Sequence, residues 1–173
     1  MPHVFESAPS ARSKCRGCGR TLQKGELRFG ERMPNPFAEG TELTLWFHPL
    51  CAAYKRPESL LDALAGNSAQ MPNREALEAA ARASLVGRRL PRIDGAERAK
   101  GQASCRHCRE PIARGAWRVR LTFFEEGRFN PSGFIHPQCV SAYFEAPGVL
   151  ERVLHFSPDV DEAAREELRH ALG

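Results

Sequence analysis

Several features are missing from this 173-residue sequence, and each absence excludes a class of protein. No apolar run approaches the roughly 18 consecutive residues that a membrane-spanning helix needs, so we expect no membrane protein. The N-terminal segment, MPHVFESAPSARSK, contains no apolar stretch of signal-peptide length, so nothing in it predicts secretion. We therefore expect an intracellular protein in a reducing compartment, where cysteines more often bind metal or catalyse than form disulfides.

Signatures of catalysis are also missing from the sequence. We find no paired carboxylates near a nucleophile and no glycine-rich loop of the kind that cradles phosphate groups. The sequence therefore predicts a protein that is not an enzyme, and its function has to be sought in binding.

Positive charge is concentrated in two segments of the chain, although the net charge is only +4. Residues 1–56 carry nine Lys/Arg and five Asp/Glu, and residues 98–144 carry eight and three. Residues 57–97 are nearly balanced, and residues 145–173 are acidic, with three Lys/Arg and seven Asp/Glu. Two basic segments are typical of a protein that binds a polyanion, although solvated basic surfaces without a partner would give the same pattern.

The six cysteines all belong to one repeated pattern, and none lies outside it. A Cys-x2-Cys pair is followed 27 to 29 residues later by His-x2-Cys, and this occurs twice. The ligand sets are Cys15, Cys18, His48 and Cys51 in the first copy, and Cys105, Cys108, His136 and Cys139 in the second. The similarity extends beyond these residues, since LQKGELRFG parallels IARGAWRVR and LWFHPLCAAY parallels FIHPQCVSAY. Such a repeat predicts two copies of one structural unit.

Three cysteines and one histidine form a standard closed ligand set for a structural zinc ion. Disulfides would leave one cysteine unpaired in each copy, and a thioredoxin-like site would need a βαβ pattern that the sequence lacks. A catalytic zinc would keep an open coordination position, whereas each copy offers four good ligands. We therefore predict two Zn²⁺ ions, one per copy. His107 could replace a ligand, but the first copy has Gly17 there, which favours a bystander.

The predicted fold class is α+β, with two small zinc-stabilised domains that each contain a short antiparallel sheet and packed helices. Period-two patterns predict strands at 27–33, 43–48, 117–124 and 133–136, joined by Pro/Gly-containing loops at 34–40 and 125–133. A helix is predicted to begin at each HxxC motif, as PLCAAYK in the first copy and PQCVSAYFE in the second. Further helices are predicted at 58–65, 74–86, 147–154 and 160–172, with Asn73 and Asp159 or Asp161 as caps. The predicted domains are residues 1–86 and 98–173, with a linker at 87–97.

These residues resemble the poly(ADP-ribose) polymerase-type (PARP-type) zinc finger, which also occurs in a eukaryotic DNA ligase. The first copy carries SARSKCRGC, QKGELRFG and WFHPLC, and the second carries KGQASCRHC, ARGAWRVR and FIHPQC. The resemblance covers both copies and most of the chain, and it leaves no segment large enough for the polymerase's catalytic domain. It implies binding to DNA strand breaks by structure rather than by sequence. It also implies a nuclear location in a eukaryote, or a location at the nucleoid in a bacterium.

The resemblance also implies particular DNA contacts. In the family, an arginine shortly before the first cysteine and an arginine on the first strand contact backbone phosphates. Arg12 and Arg28 match these positions in the first copy, and Arg118 matches the strand position in the second. Gln102 stands where the other arginine is expected, which weakens the phosphate contact predicted for the second copy.

Apolar residues of the strand–strand loop are implied to stack on base pairs exposed at a break. In the first copy the candidates are Phe37 with Met33 or Leu43, and in the second they are Phe124, Phe123 or Phe129. The alternative interpretation is a zinc-structured protein-interaction module, whose acidic helices at 145–173 bind a protein partner and whose DNA affinity is nonspecific. Break-dependent DNA binding separates the two interpretations.

Overall fold

We analysed a computed structural model of the chain, which describes residues 2–67, 71–87 and 91–173. The chain forms two compact units. The first comprises residues 1–85 together with 124–129, and the second comprises residues 86–123 and 130–173. In the part of the chain that the structure describes, no helix is both long and apolar enough to cross a membrane.

The first unit is a three-stranded antiparallel sheet followed by three helices. Its elements are β1 (Val4–Ser7), β2 (Leu27–Pro34), β3 (Glu42–Phe47), α1 (Pro49–Lys55), α2 (Pro57–Gly66) and α3 (Arg74–Leu85). The strand order is β1-β2-β3, so β2 is central and carries the fully buried Phe29. Proline occupies the first turn of both α1 and α2, where its missing N–H costs no hydrogen bond. Phe29, Phe47 and Leu60 are fully buried and hold the core between the sheet and the helices.

The second unit repeats this plan with a longer hairpin. Its strands are β4 (Arg92–Arg98), β5 (Ala103–Ser104), β6 (Pro111–Ile112), β7 (Trp117–Glu125) and β8 (Arg128–Ile135). Its helices are α4 (Val140–Phe144), α5 (Val149–His155) and α6 (Glu162–Leu172), and a short 3-10 turn, Pro137–Cys139, precedes α4. The sheet order is β4-β7-β8, and β5 pairs with β6. The sheet and helices bury one core that includes Val119, Leu121, Ile135, Phe144 and Leu168.

The α+β prediction is confirmed, and the helices lie close to their predicted bounds. Asp161 caps α6, since its side chain accepts a hydrogen bond of 2.8 Å from the backbone N–H of Ala164. Asn73 precedes α3 with a positive φ of 58°. The second loop is shorter than predicted, because β7 and β8 extend to a turn at Glu126 and Gly127, both with positive φ.

Two outer strands were not predicted from the sequence. β1 pairs with β2 in the first unit, and β4 pairs with β7 in the second. β4 also covers much of the segment expected to be a linker, 87–97, so the structure differs from that prediction at residues 92–97. The cause is pairing: VFES and RIDGAER are short segments of mixed composition, and their strand conformation depends on the neighbouring strand more than on their own residues.

Candidate metal centres and nucleic-acid surface

The first cluster brings together Cys15, Cys18, His48 and Cys51. One potential ligand atom from each residue lies within 4.8 Å of the other three. The Nδ1 atom of His48 lies 3.4 Å from the Cys18 sulfur and 3.8 Å from the Cys51 sulfur. The backbone N–H of His48 donates to the Cys15 sulfur at 3.3 Å. The CxxC turn and the junction between β3 and α1 therefore converge on one point.

The second cluster repeats this arrangement with Cys105, Cys108, His136 and Cys139, again with ligand atoms within 4.8 Å of one another. The His136 Nδ1 atom lies 3.4 Å from the Cys108 sulfur, and the His136 backbone N–H donates to the Cys105 sulfur at 3.4 Å. His107 is not part of the cluster. Its ring instead packs edge-on against Tyr143, with the centroids 6.1 Å apart.

The outer nitrogen of each histidine faces an oxygen atom, within hydrogen-bond distance at the second centre and slightly beyond it at the first. The His136 Nε2 atom lies 3.2 Å from the carbonyl oxygen of Pro111, and the His48 Nε2 atom lies 3.6 Å from a carboxylate oxygen of Glu26. A metal-binding histidine commonly donates its second ring N–H to such an oxygen, which fixes the tautomer and the ring orientation. Nδ1 is therefore the ligand atom at both centres.

Crowding of the thiols changes their proton affinity in the first cluster. Hydrogen bonding with the Cys15 and Cys51 thiols lowers the pKa of Cys18, whereas interaction with Cys15 and Cys18 raises the pKa of Cys51. The neighbouring Cys15 and Cys18 sulfurs also raise the pKa of His48 to about 10. Zinc binding has to displace these protons, because metal ligands are thiolates and neutral imidazoles.

The second cluster is more open to solvent. Burial raises the pKa of the Cys105 thiol, but hydrogen bonds from the backbone N–H groups of Cys108 and His136 outweigh it and bring this pKa to about 6. Burial and the neighbouring Cys105 sulfur raise the pKa of Cys139 to about 12. Cys108 is exposed, whereas no cysteine of the first cluster is. We therefore expect the two centres to differ in how readily they exchange metal.

The donor sets fit zinc, and they fit a structural rather than a catalytic centre. Three thiolates and one imidazole complete a tetrahedral shell and leave no position for a substrate or a water molecule. The two Cys3His clusters are thus compatible with two zinc ions, as predicted. The fold and these centres define a protein built from two small zinc-binding units.

Comparison with known families assigns the first unit to a family of zinc fingers. Residues 6–86 match the family model described as the poly(ADP-ribose) polymerase and DNA-ligase Zn-finger region. This stretch is a PARP-type zinc finger, and the second Cys3His cluster supports two tandem copies.

Two curated relatives agree with this assignment. A poly [ADP-ribose] polymerase of Sarcophaga peregrina is 29% identical over 143 residues, which is 72% of this chain and 14% of that protein. Poly [ADP-ribose] polymerase 1 of Gallus gallus is 38% identical over 56 residues, which is 31% of this chain and 5% of that protein. The chain thus spans a small part of the length of these relatives, and the family model matched is that of the zinc-finger region. PARP-type fingers bind DNA, so the match supports a zinc-dependent DNA-binding module.

Two of the residues predicted to contact DNA are well exposed. Arg12 lies on the surface just before the first CxxC, and no described carboxylate pairs with it. Phe37 lies in the loop between β2 and β3 with 64% of its surface exposed. The guanidinium of Arg128, which belongs to the same unit, lies 4.8 Å from the Phe37 ring centroid. The first unit therefore presents an apolar ring and cations on its surface.

Arg28 is instead largely buried. Its guanidinium forms an ion pair with Glu6, donates to the Ser13 hydroxyl at 3.1 Å and lies over Trp46, 3.6 Å from the ring centroid. This arrangement holds the guanidinium in one orientation. The phosphate contact of Arg28 remains a prediction.

Arg118 occupies the equivalent place in the second unit. It pairs with Glu97 at 2.7 Å and lies over Phe134, 3.6 Å from the ring centroid. The first copy's serine acceptor is replaced by Ala103, so the Arg118 Nη1 atom has no described acceptor. Glu97 also binds Arg120 at 3.0 Å, which makes it the centre of a small charge network.

Phe124 is half-buried and belongs by its contacts to the first unit. The Arg56 guanidinium covers one face of its ring, 3.9 Å from the centroid, and Arg56 also pairs with the buried Glu31 at 2.5 Å. The Phe129 ring lies 5.0 Å from it. The predicted contact of Phe124 with DNA therefore depends on the part of its ring that Arg56 and Phe129 leave uncovered.

Sequence reasoning missed the carboxylates that hold the strand arginines. Glu6 and Glu97 both lie on the unpredicted outer strands, directly opposite Arg28 and Arg118. A signal was available, because the two glutamates precede their arginines by 22 and 21 residues. The two glutamates thus occupy equivalent positions of the repeat, upstream of the first cysteine of each copy.

Proposed function

We propose that this protein recognises DNA strand breaks by their structure, and that the first unit supplies the main contact. The observation that carries the proposal is the exposed Phe37 ring in a basic, zinc-stabilised finger. An aromatic ring can stack on a base face only where the duplex is open, and such stacking is worth about 1–3 kcal/mol per base. An intact duplex offers no such face, so Phe37 would supply selectivity for nicks, gaps or ends.

In this proposal the cations supply affinity that does not depend on sequence. Guanidinium groups pair with phosphate oxygens and release counterions. Arg12 is exposed and available to a phosphate. The guanidinium groups of Arg28 and Arg118 already bind protein groups, so each would offer a phosphate only its remaining N–H groups. We place the protein where it can meet broken DNA, in the nucleus of a eukaryote or at the nucleoid of a bacterium.

The test is fluorescence anisotropy of the zinc-loaded chain on intact, nicked and gapped duplexes of equal length at one stated salt concentration. Tighter binding to nicked or gapped DNA is expected, and Phe37→Ala should remove about tenfold of that preference, in line with the loss of one stacked base. Val86→Ala is the matched control, because Val86 is the other large apolar residue exposed among those described, at 49%. Equal affinity for all three DNAs would overturn break recognition.

The protein-interaction alternative draws on the acidic C-terminal helices. Part of this charge is paired within the second unit, since Arg169 binds Glu162 and Glu166, and Glu167 binds Arg98 and the Trp117 N–H. This internal pairing leaves less negative charge for a partner. A pull-down with the exposed Glu145, Glu151 and Asp159 changed to their amides tests the alternative directly, because these changes leave the buried core of the unit intact.

A further inference from the structure

The second unit contains an open groove of about 740 Å³ beside its zinc centre. This volume falls within the roughly 300–1,000 Å³ range typical of small-molecule sites. The groove lies between the CxxC turn and the strands of the hairpin. The residues that shape it include Ser104, Arg106, Arg109, Phe123, Ser132 and Phe134.

The groove is basic, and its cations are not neutralised. Arg106 donates from Nη1 to the carbonyl and hydroxyl oxygens of Ser132, both at 2.8 Å, which holds its guanidinium at the groove. Among the described residues no carboxylate forms an ion pair with Arg106 or Arg109. This differs from Arg118 in the same unit, which is paired with Glu97. An anionic ligand would therefore meet two cations that no described carboxylate neutralises.

Arg109 occupies a backbone conformation that disfavours its residue type. Its φ is +72°, and the equivalent residue of the first unit is Gly19, with a φ of +74°. Glycine adopts this left-handed region freely, whereas a residue with a Cβ is disfavoured there. Strained residues of this kind cluster at functional sites. The second unit thus places an arginine at the groove where the turn itself would prefer glycine.

Aromatic rings provide the other part of the site. Phe123 is half-buried and lines the groove, and its counterpart on β2 of the first unit is Met33. Phe134 is covered on one face by Arg118 and also lines the groove. The corresponding groove of the first unit is smaller, at about 490 Å³, and among its lining residues only Trp46 is aromatic. Cations line both grooves, since Lys14 and Arg16 line the groove of the first unit. The larger volume and the half-buried Phe123 are therefore what distinguishes the groove of the second unit.

We propose that this groove binds an unpaired nucleotide of single-stranded DNA, with its phosphate on Arg106 and Arg109 and its base against Phe123. Basic grooves with aromatic platforms are the usual means of binding single strands, because every base has a face that can stack. The inference rests on the proposed function: the first unit reads the break, and the second captures a single-stranded extension that leaves it.

The experiment compares the full zinc-loaded chain on a nicked duplex, on the same duplex with a short single-stranded flap, and on a single-stranded oligonucleotide. The flap should increase affinity about tenfold, as expected for one stacked base with one phosphate contact. Arg109→Gly, which installs the residue of the first unit, and Phe123→Leu should each abolish most of this gain. Arg114→Ala is the matched control, since Arg114 is an exposed arginine of the same unit outside the groove.

The outcomes separate this inference from the proposed function. If Arg109→Gly lowers affinity equally for the nicked duplex with the flap and for the one without it, the groove site is overturned. Arg109 would then belong to the general DNA-binding surface. A wild-type chain that gains nothing from the flap would overturn it as well. If the chain does not distinguish nicked from intact duplex, break recognition fails, yet loss of single-strand binding in Arg109→Gly would still support the groove. Zinc content and circular dichroism of each variant confirm that the fold is retained.

Discussion

The two zinc units share one ligand plan but support it differently. In the first unit the buried Lys55 donates from Nζ to the Gly17 carbonyl at 2.6 Å and so holds the CxxC turn. In the second unit His107 takes the place of Gly17, and its exposed ring packs edge-on against the buried Tyr143. The first centre is enclosed and held by a buried cation, whereas the second is more exposed. Identical ligands therefore need not give centres of equal stability.

Loss of metal should have the largest effect, and it should differ between the units. Structural zinc contributes about 10–16 kcal/mol to the folding of small zinc domains, so Cys51→Ala and Cys139→Ala should each unfold their own unit. In the wild type, a chelator should remove zinc first from the second centre, because Cys108 is exposed. Zinc release followed with a colorimetric chelator should show two phases, and Cys139→Ala should lose the faster one. A single phase in the wild type would show that exposure does not control exchange.

Substitution of Gly17 should have the next largest effect. A Cβ at this position would lie 2.8 Å from the Cβ of Cys51, which is closer than ordinary contact allows. Gly17→Ala should therefore displace a ligand and lower zinc affinity about 10- to 100-fold, the usual range for disturbing the support of a metal site. Competition with a chelator of known affinity measures this. His107→Ala is the control in the second unit and should leave the affinity nearly unchanged.

Removal of the carboxylates that hold the strand arginines should have an intermediate effect. Glu97→Ala should cost about 2 kcal/mol, within the usual range for hydrogen bonds to charged groups, because it leaves Arg118 and Arg120 without their shared partner. Glu6→Ala should cost about 1 kcal/mol, since Glu6 is more exposed and Arg28 retains Ser13. Thermal unfolding of each variant with zinc in excess gives the comparison. If Glu97→Ala and Glu6→Ala lose the same free energy of unfolding, the additional ion pair between Arg120 and Glu97 does not stabilise the second unit.

Glu97 should also make the stability of the second unit depend on pH. Burial raises the pKa of Glu97, but hydrogen bonds from Arg118 and Arg120 outweigh it and leave this pKa below its ordinary value. The stabilisation is therefore complete above the ordinary carboxylate pKa of about 4.3 and is lost as the pH falls through the lowered value. Zinc also dissociates in acid, so the contribution of Glu97 is the difference between the wild type and Glu97→Gln. The difference between the two stability curves should stay constant from pH 6 down to the ordinary carboxylate pKa of about 4.3 and shrink below it, while zinc loss lowers both curves alike.

Exchange of the residues before the CxxC pairs should have the smallest effect. Arg12→Gln should weaken DNA binding a few-fold and reduce the salt slope by about 0.9, the value for one phosphate contact on duplex DNA. Gln102→Arg should do the reverse in the second unit. Affinities measured across a salt series test both. If the slope does not change in either variant, these positions do not contact phosphate.

Much of the site could be predicted from the sequence, because metal ligands are recognised by residue type and spacing. Eight ligands at CxxC and HxxC spacing, repeated once, specified two Cys3His centres before any contact was known. The helices were predictable for a similar reason, since their periodicity and caps are local. The predicted contacts of Arg12, Arg28, Phe37, Arg118 and Phe124 with DNA depend on the family resemblance and await the measurements above.

Only the tertiary structure decided which groups neutralise the arginines and which leave them free. The ion pairs of Arg28 and Arg118 depend on β1 and β4, whose strand conformation comes from pairing with distant segments rather than from their own composition. The covering of Phe124 and the unpaired cations of the groove likewise arise from residues far apart in the chain. Spacing along the sequence determined the zinc chemistry of this protein, because a metal ion gathers its own ligands. Three-dimensional packing determined where its charges and rings are available, because exposure is a property of neighbours and not of the residue itself.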